Sequence, residues 1–98
     1  MARIRSIKPE FWTSEQIMEC SLNARLLFIG LWNFADDLGR LPISPKMIKA
    51  SIFPGDDISI EIILGMVNEL SKNGLLLVYR VEDRDYLQIK GWQAKSGI

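Results

Sequence analysis

The sequence predicts a mainly helical α+β domain in which three helices precede a β-hairpin. This prediction is based on a change in the spacing of apolar residues along the sequence. Apolar residues recur at helical spacing up to residue 73, whereas from Leu75 onward they alternate with the period of two that is typical of strands. A chain of 98 residues has room for one hydrophobic core, so we expect a single domain over residues 1–98.

The longest apolar run predicts the first main helix. Ser21 is a good N-cap, and the segment LNARLLFIGLWNFA after it is apolar on nearly all sides, as in a central helix. In front of it, Pro9 suits the first turn of a short helix over residues 9–13, and a further short turn is predicted over residues 14–19. Residues 1–8 form a basic N-terminal arm, which we expect to be mobile.

Two further helices are predicted in the second half of the chain. Ser44 followed by Pro45 is an N-cap with proline in the first turn of a helix over residues 45–52. A longer helix over residues 59–73, with Asp57 or Ser59 as its N-cap, ends at an Asn-Gly C-cap signal. Spacings of three and four predict an inward stripe of Ile60, Ile63, Leu64, Val67 and Leu70.

The last third of the chain predicts a β-hairpin. Two alternating segments, LLLVYRV and YLQIKGW, flank the polar residues EDRD. An odd-numbered loop would place one face of each strand on the same side, namely Leu75, Leu77, Tyr79 and Val81 with Leu87 and Ile89. The segment GRLP, between the first two main helices, is predicted to be a short strand that pairs with the hairpin. Residues 93–98 are interpreted as a tail or the start of a linker.

This order of elements is that of a winged helix-turn-helix domain. The helices at 45–52 and 59–73 would form the helix-turn-helix, and the hairpin would be the wing. The alternative is an α+β domain in which the hairpin merely caps a helical bundle. We favour the winged helix because an isolated hairpin is marginally stable unless it gains a third strand or packs on helices.

Composition argues against several functional classes. Twelve Lys and Arg residues balance twelve Asp and Glu residues, so bulk charge gives no case for nucleic acid or an acidic membrane. Histidine is absent, and the single cysteine, Cys20, fits a buried thiol in a reducing compartment. No segment reaches the length of about 18 apolar residues needed to span a membrane. We therefore predict a cytoplasmic protein without membrane association.

The strongest catalytic candidate is the carboxylate pair Asp36 and Asp37 in FADDLGRLP. Adjacent side chains diverge on a helix or strand, and no ligand-spacing motif accompanies them. We interpret the pair as the end of the first main helix and predict no enzyme activity, no metal and no cofactor. One of the two carboxylates is a candidate partner for Arg25, the only charge within that nearly wholly apolar helix.

Five segments of the chain resemble one protein family. ARIRSIKPEFWTSEQI, ARLLFIGLWNFADDLGR, IFPGDD, NGLLLVY and GWQAK resemble, in this order, the N-terminal domain of phage and prophage replication proteins known as replisome organisers or helix-turn-helix replication proteins. The resemblance implies a winged-helix DNA-binding module. It also implies that parts beyond this chain engage a host replicative helicase or its loader.

The DNA hypothesis selects basic and polar residues on the arm, the helix-turn-helix and the wing. They would contact mainly phosphate. The candidates are Arg3, Arg5, Lys8, Lys46, Lys49, Asn68, Lys72, Arg80 and Arg84. Two acids on the outward side of the third helix, Glu61 and Glu69, would oppose phosphate binding.

A second hypothesis concerns the same helix. Ile62 and Met66 lie four residues apart, outside the predicted inward stripe, and would form an exposed apolar pair. Such a pair fits a protein-docking or homo-oligomer surface without direct DNA contact. The sequence leaves these two functions open as alternatives.

Overall fold

A computed structural model describes residues 2–92 and has an α+β architecture of four α-helices and one three-stranded sheet. A 3-10 helix precedes the α-helices. In chain order the elements are the 3-10 helix Pro9–Thr13, α1 Glu15–Met18, α2 Leu22–Phe34, β1 Arg40–Pro42, α3 Pro45–Ile52, α4 Ile60–Lys72, β2 Leu76–Val81 and β3 Arg84–Ile89. The predicted class and element order are confirmed. The predicted tail at 93–98 lies outside the described residues.

Helix α2 lies at the centre of the core, and its buried aromatic side chains anchor the N-terminal segment. The rings of Phe28 and Trp32 meet edge to face, with centroids 5.6 Å apart, and Phe11 packs edge to face on Trp32 at 5.4 Å. The helix is not buried on all sides, however, since Leu22 is 75% exposed and Leu26 is 56% exposed. The prediction of a wholly central helix is therefore wrong for its first two turns.

Helix α4 is rotated relative to the predicted orientation. Its buried residues are Ile63, Met66, Val67 and Leu70. Leu64, predicted to face the core, is exposed. The helix carries apolar residues on several sides, so two stripes with the same spacing were possible, and the sequence pattern alone did not distinguish them.

The sheet joins β1 to the hairpin in the order β1-β3-β2, with all pairs antiparallel. The predicted pairing of the short strand with the hairpin is thus confirmed. The predicted hairpin register is wrong, because the loop has two residues, Glu82 and Asp83, both with positive φ. Leu76 rather than Leu77 consequently shares the buried face with Leu87 and Ile89.

Ser21 caps α2 as predicted, and of the two candidates for the N-cap of α4, Asp57 and Ser59, Ser59 forms the cap. Ser21 Oγ accepts a hydrogen bond from Ala24 N, and Ser59 Oγ accepts one from Ile62 N. Ser44 precedes α3 in extended backbone but makes no side-chain capping bond. Among the helices within residues 2–92, none has the length and apolar character needed to cross a membrane.

Candidate nucleic-acid interface

The outward side of α4 is a continuous exposed stripe. Because Ile63, Met66, Val67 and Leu70 face the core, the opposite side presents residues spaced by four, three and four. These residues are Glu61, Gly65, Asn68 and Lys72, and we call them the α4 stripe. It contains both residues that the sequence predicted for DNA contact on this helix.

Gly65 lies in the middle of the α4 stripe without an internal packing reason. A Cβ atom added there would meet nothing within 4 Å. Glycine in a helix interior costs about 0.5–1 kcal/mol of stability relative to alanine. A bare position also lets another molecule approach the helix backbone closely. Gly65 was not among the predicted site residues, although a glycine in the interior of a predicted helix is a visible signal in the sequence.

Glu69 is turned away from the α4 stripe, which changes its electrostatics. Its carboxylate accepts hydrogen bonds from the backbone N–H of Ser21 at 2.5 Å and from the Ser21 hydroxyl at 3.1 Å. It therefore sits at the start of α2, where the helix dipole favours negative charge. Of the two acids predicted to oppose phosphate, only Glu61 remains on the stripe.

The predicted apolar pair on α4 does not exist as an exposed surface. Met66 is only 5% exposed, whereas Ile62 is 52% exposed. Met66 belongs to the core because the helix is rotated toward the second of its two possible apolar stripes. The other exposed apolar residue, Leu64, lies two positions from Ile62, a spacing at which helical side chains do not face each other.

The basic arm is held against the body through Arg3. Its backbone N–H donates to Asn33 O at 2.7 Å, and Asn33 Nδ2 donates back to Arg3 O at 2.7 Å. The Arg3 guanidinium also forms an ion pair with Asp37. These contacts contradict the expectation of a mobile arm at this position.

Arg5 is likewise engaged within the chain. Its guanidinium lies over the Trp92 ring at 4.7 Å from the ring centroid, and Nε donates to Trp32 O at 3.4 Å. Lys8 is exposed at the end of the arm. Phosphate contact by Arg3 or Arg5 would thus have to displace existing contacts.

Two further candidates have local roles. Lys49 Nζ donates to Asp56 O at 3.1 Å and so ties α3 to the loop before α4. Arg80 Nε donates to Asp85 Oδ1 at 3.0 Å, and this hydrogen bond raises the pKa of the Arg80 guanidinium. Both side chains therefore make contacts within the domain, and the Arg80 contact joins β2 to β3.

A backbone hydrogen bond links the segment just before α3 to the first residues of β3. The N–H of Ile43 donates to Asp85 O at 2.8 Å, which extends β1 along β3 to within a few residues of the α3 N-terminus. Lys46, in the first turn of α3, and Arg84, at the start of β3, each lie within a few residues of this link. Within residues 2–92, neither forms an ion pair, and both are exposed.

Asp36, the first of the two aspartates after α2, closes a turn. Asp36 Oδ1 accepts from the N–H groups of Leu38 and Arg40, both at 2.9 Å, and Asp36 Oδ2 accepts from Arg40 Nε at 3.1 Å. Partial burial acts to raise the pKa of the Asp36 carboxyl, but these hydrogen bonds outweigh it and the pKa is lowered. The described residues hold no group of three or more acidic or cysteine side chains placed to bind a metal.

Arg25 does not pair with either aspartate. Its Nε donates to the carbonyls of Ile17 and Cys20, at 2.9 and 3.0 Å, and Nη2 donates to Met18 O at 3.0 Å. The hypothesis of a partner at Asp36 or Asp37 is wrong because Arg25 lies in the first turn of α2 and the aspartates follow its last. Arginine here satisfies the carbonyl groups at the end of α1.

Comparison with protein-family models, curated proteins and solved structures gives no match to this chain.

Proposed function

We propose that this chain is a winged-helix DNA-binding and assembly module of a phage or prophage replication protein. In this proposal α3 and α4 form the helix-turn-helix, α4 is the recognition helix and the β2-β3 hairpin is the wing. The chain has no catalytic role, and parts beyond it would engage the host helicase or its loader. The sequence resemblance supports the replication setting.

One observation carries the DNA-binding part of the proposal. The α4 stripe presents a bare glycine at its centre, with Asn68 and Lys72 on one side and a single acid, Glu61, on the other. A helix that enters the major groove needs close approach of its backbone and a few side chains that reach base edges or phosphates. Gly65 and Asn68 supply these two features, and Lys46 and Arg84 would add phosphate contacts.

The test is a bulky substitution at the bare position. Gly65→Leu is expected to weaken duplex DNA binding about tenfold or more, since a clash of about 1–3 kcal/mol at a close contact has that effect. Gly65→Ala should instead raise the free energy of unfolding by about 0.5–1 kcal/mol. Fluorescence anisotropy with labelled duplex and urea unfolding would measure the two effects.

Asn23→Leu provides the matched control, because it adds the same side chain to an exposed position of α2. The control should bind duplex like the unmodified chain. Equal affinity of Gly65→Leu and Asn23→Leu for duplex would remove α4 from the interface and contradict the proposal.

The alternative function is protein docking or self-association. The surface that fits it lies on α2 and not at the predicted pair on α4. Leu22 and Leu26 lie four apart on α2 and are both exposed, whereas Met66 is buried. An exposed pair at this spacing fits contact with another apolar surface. A chain that binds no duplex and gains mass with concentration in light scattering would favour this alternative.

A further inference from the structure

The outer face of the sheet carries an aromatic pair that the predicted register concealed. Tyr79 lies opposite Tyr86 in the observed register, and their rings stack with centroids 5.8 Å apart and planes 18° apart. The pair is on the side away from buried Leu76, Leu87 and Ile89. It is half-buried, so part of the aromatic surface remains accessible.

An open cleft of about 470 Å³ borders the tyrosine pair. Its walls include Phe34 at the end of α2 and Pro42 on β1, which pairs with Tyr86. The cleft thus combines flat apolar surfaces on two sides with the Arg40 and Asp36 ion pair at its edge. A planar ring has room to enter it against the tyrosines.

The strand residues on the outer face include cations but no carboxylate. Strand positions on this face hold Arg40 and Arg84, together with the neutral Leu77, Tyr79, Val81, Tyr86, Gln88 and Pro42. Asp85, the acid within β3, is on the opposite face and binds Arg80. A chain with zero net charge therefore presents a sheet face with two cations, of which Arg40 is paired with Asp36 and Arg84 forms no ion pair within residues 2–92.

We propose that this face binds single-stranded DNA by stacking an unpaired base on the Tyr79 and Tyr86 pair, with Arg84 near the phosphates. The inference rests on the proposed DNA-binding function but uses a surface separate from the α4 stripe. Aromatic rings beside cations are how proteins hold single strands, because an unpaired base exposes a ring face that a duplex keeps stacked. A neutral apolar partner would leave Arg84, which forms no ion pair within residues 2–92, without a role.

The experiment compares oligo(dT) with an abasic strand of the same number of phosphates, by anisotropy. We expect oligo(dT) to bind more tightly, and Tyr79→Leu and Tyr86→Leu each to weaken that binding about tenfold. Tyr79→Phe and Tyr86→Phe keep the ring and serve as matched controls that should retain binding. Arg84→Gln should lower the affinity for both strands while leaving the stacked pair in place.

Several results would overturn the inference. They are equal binding of the abasic strand and oligo(dT), unchanged affinity in both leucine variants, or a leucine variant that alters self-association in light scattering but not oligo(dT) affinity. If circular dichroism shows that a leucine variant is unfolded, its affinity is set aside. The inference is then tested by the affinities of the unmodified chain for oligo(dT) and for the abasic strand. Duplex binding that depends on Gly65 while oligo(dT) binding is absent would overturn this inference and leave the proposed function intact.

Discussion

At the scale of single residues, two neighbouring aspartates have separate tasks. Asp36 accepts the N–H groups of its own turn, whereas Asp37 pairs with Arg3 and its carbonyl accepts from Trp92 Nε1 at 2.9 Å. Gly39 completes the turn with φ of +75°, and a Cβ there would lie 2.6 Å from the Trp92 ring. The sequence correctly predicted a turn here, since Asp and Gly are turn residues with known mechanisms.

The lowered pKa of Asp36 predicts a pH-dependent contribution to stability. Its ionised form is stabilised in the folded chain, so the contribution is present above the unfolded pKa of about 4 and is lost as pH falls through the lower folded pKa. Asp36→Ala should reduce the free energy of unfolding by about 1 kcal/mol at neutral pH, with the difference shrinking in acid. Urea unfolding across this pH range measures it.

Asp37→Ala is the control, because its ion pair with Arg3 is exposed. Exposed pairs contribute about 0.2–1 kcal/mol. A difference between the unmodified chain and Asp36→Ala that stays constant from neutral pH down to strong acid would contradict the account of the turn.

At the scale of elements, helix positions followed from the sequence better than helix orientations did. Ser21 and Ser59 marked the starts of α2 and α4 because capping is a local interaction. The burial of Met66 depends on how α4 packs against the other elements, which its own periodicity does not specify. The sequence therefore predicted local interactions such as N-caps, but it did not predict which side of a helix packs against the core.

The hairpin register shows the same limit. A two-residue loop with a type I′ turn needs positive φ at both positions and usually contains Asn or Gly, whereas Glu82 and Asp83 adopt this conformation here with φ of 49° and 66°. Without a glycine to mark the loop, its length was misjudged by one residue, and the positions of β2 changed face relative to Leu87 and Ile89 of β3. The tyrosine pair was missed for this reason.

Arg25 connects α1 to α2, and its removal tests that connection. Arg25→Met should lower the free energy of unfolding by about 2 kcal/mol, because three bonds to the carbonyls of Ile17, Met18 and Cys20 would be lost. Urea unfolding gives the energy, and hydrogen exchange should show α1 amides exchanging faster than those of α4. Stability equal to or above that of the unmodified chain would show that the arginine does not hold α1.

At the scale of the whole molecule, the distribution of charge matters more than its sum. Arg3 and Arg80 are paired with Asp37 and Asp85, and Glu69 is directed to the start of α2. Lys46, Lys72 and Arg84 remain exposed and form no ion pair within residues 2–92. The sequence supplied the candidates, but which of them are available depended on contacts between distant segments.

The central claim, DNA binding through exposed cations, is tested most directly by duplex affinity at two salt concentrations. If Lys46, Lys72 and Arg84 neutralise phosphates, the logarithm of the binding constant should fall with the logarithm of salt with a slope of about −3. Replacing all three with Gln should bring the slope close to zero. An affinity independent of salt, or no duplex binding at micromolar protein together with concentration-dependent mass, would contradict the claim.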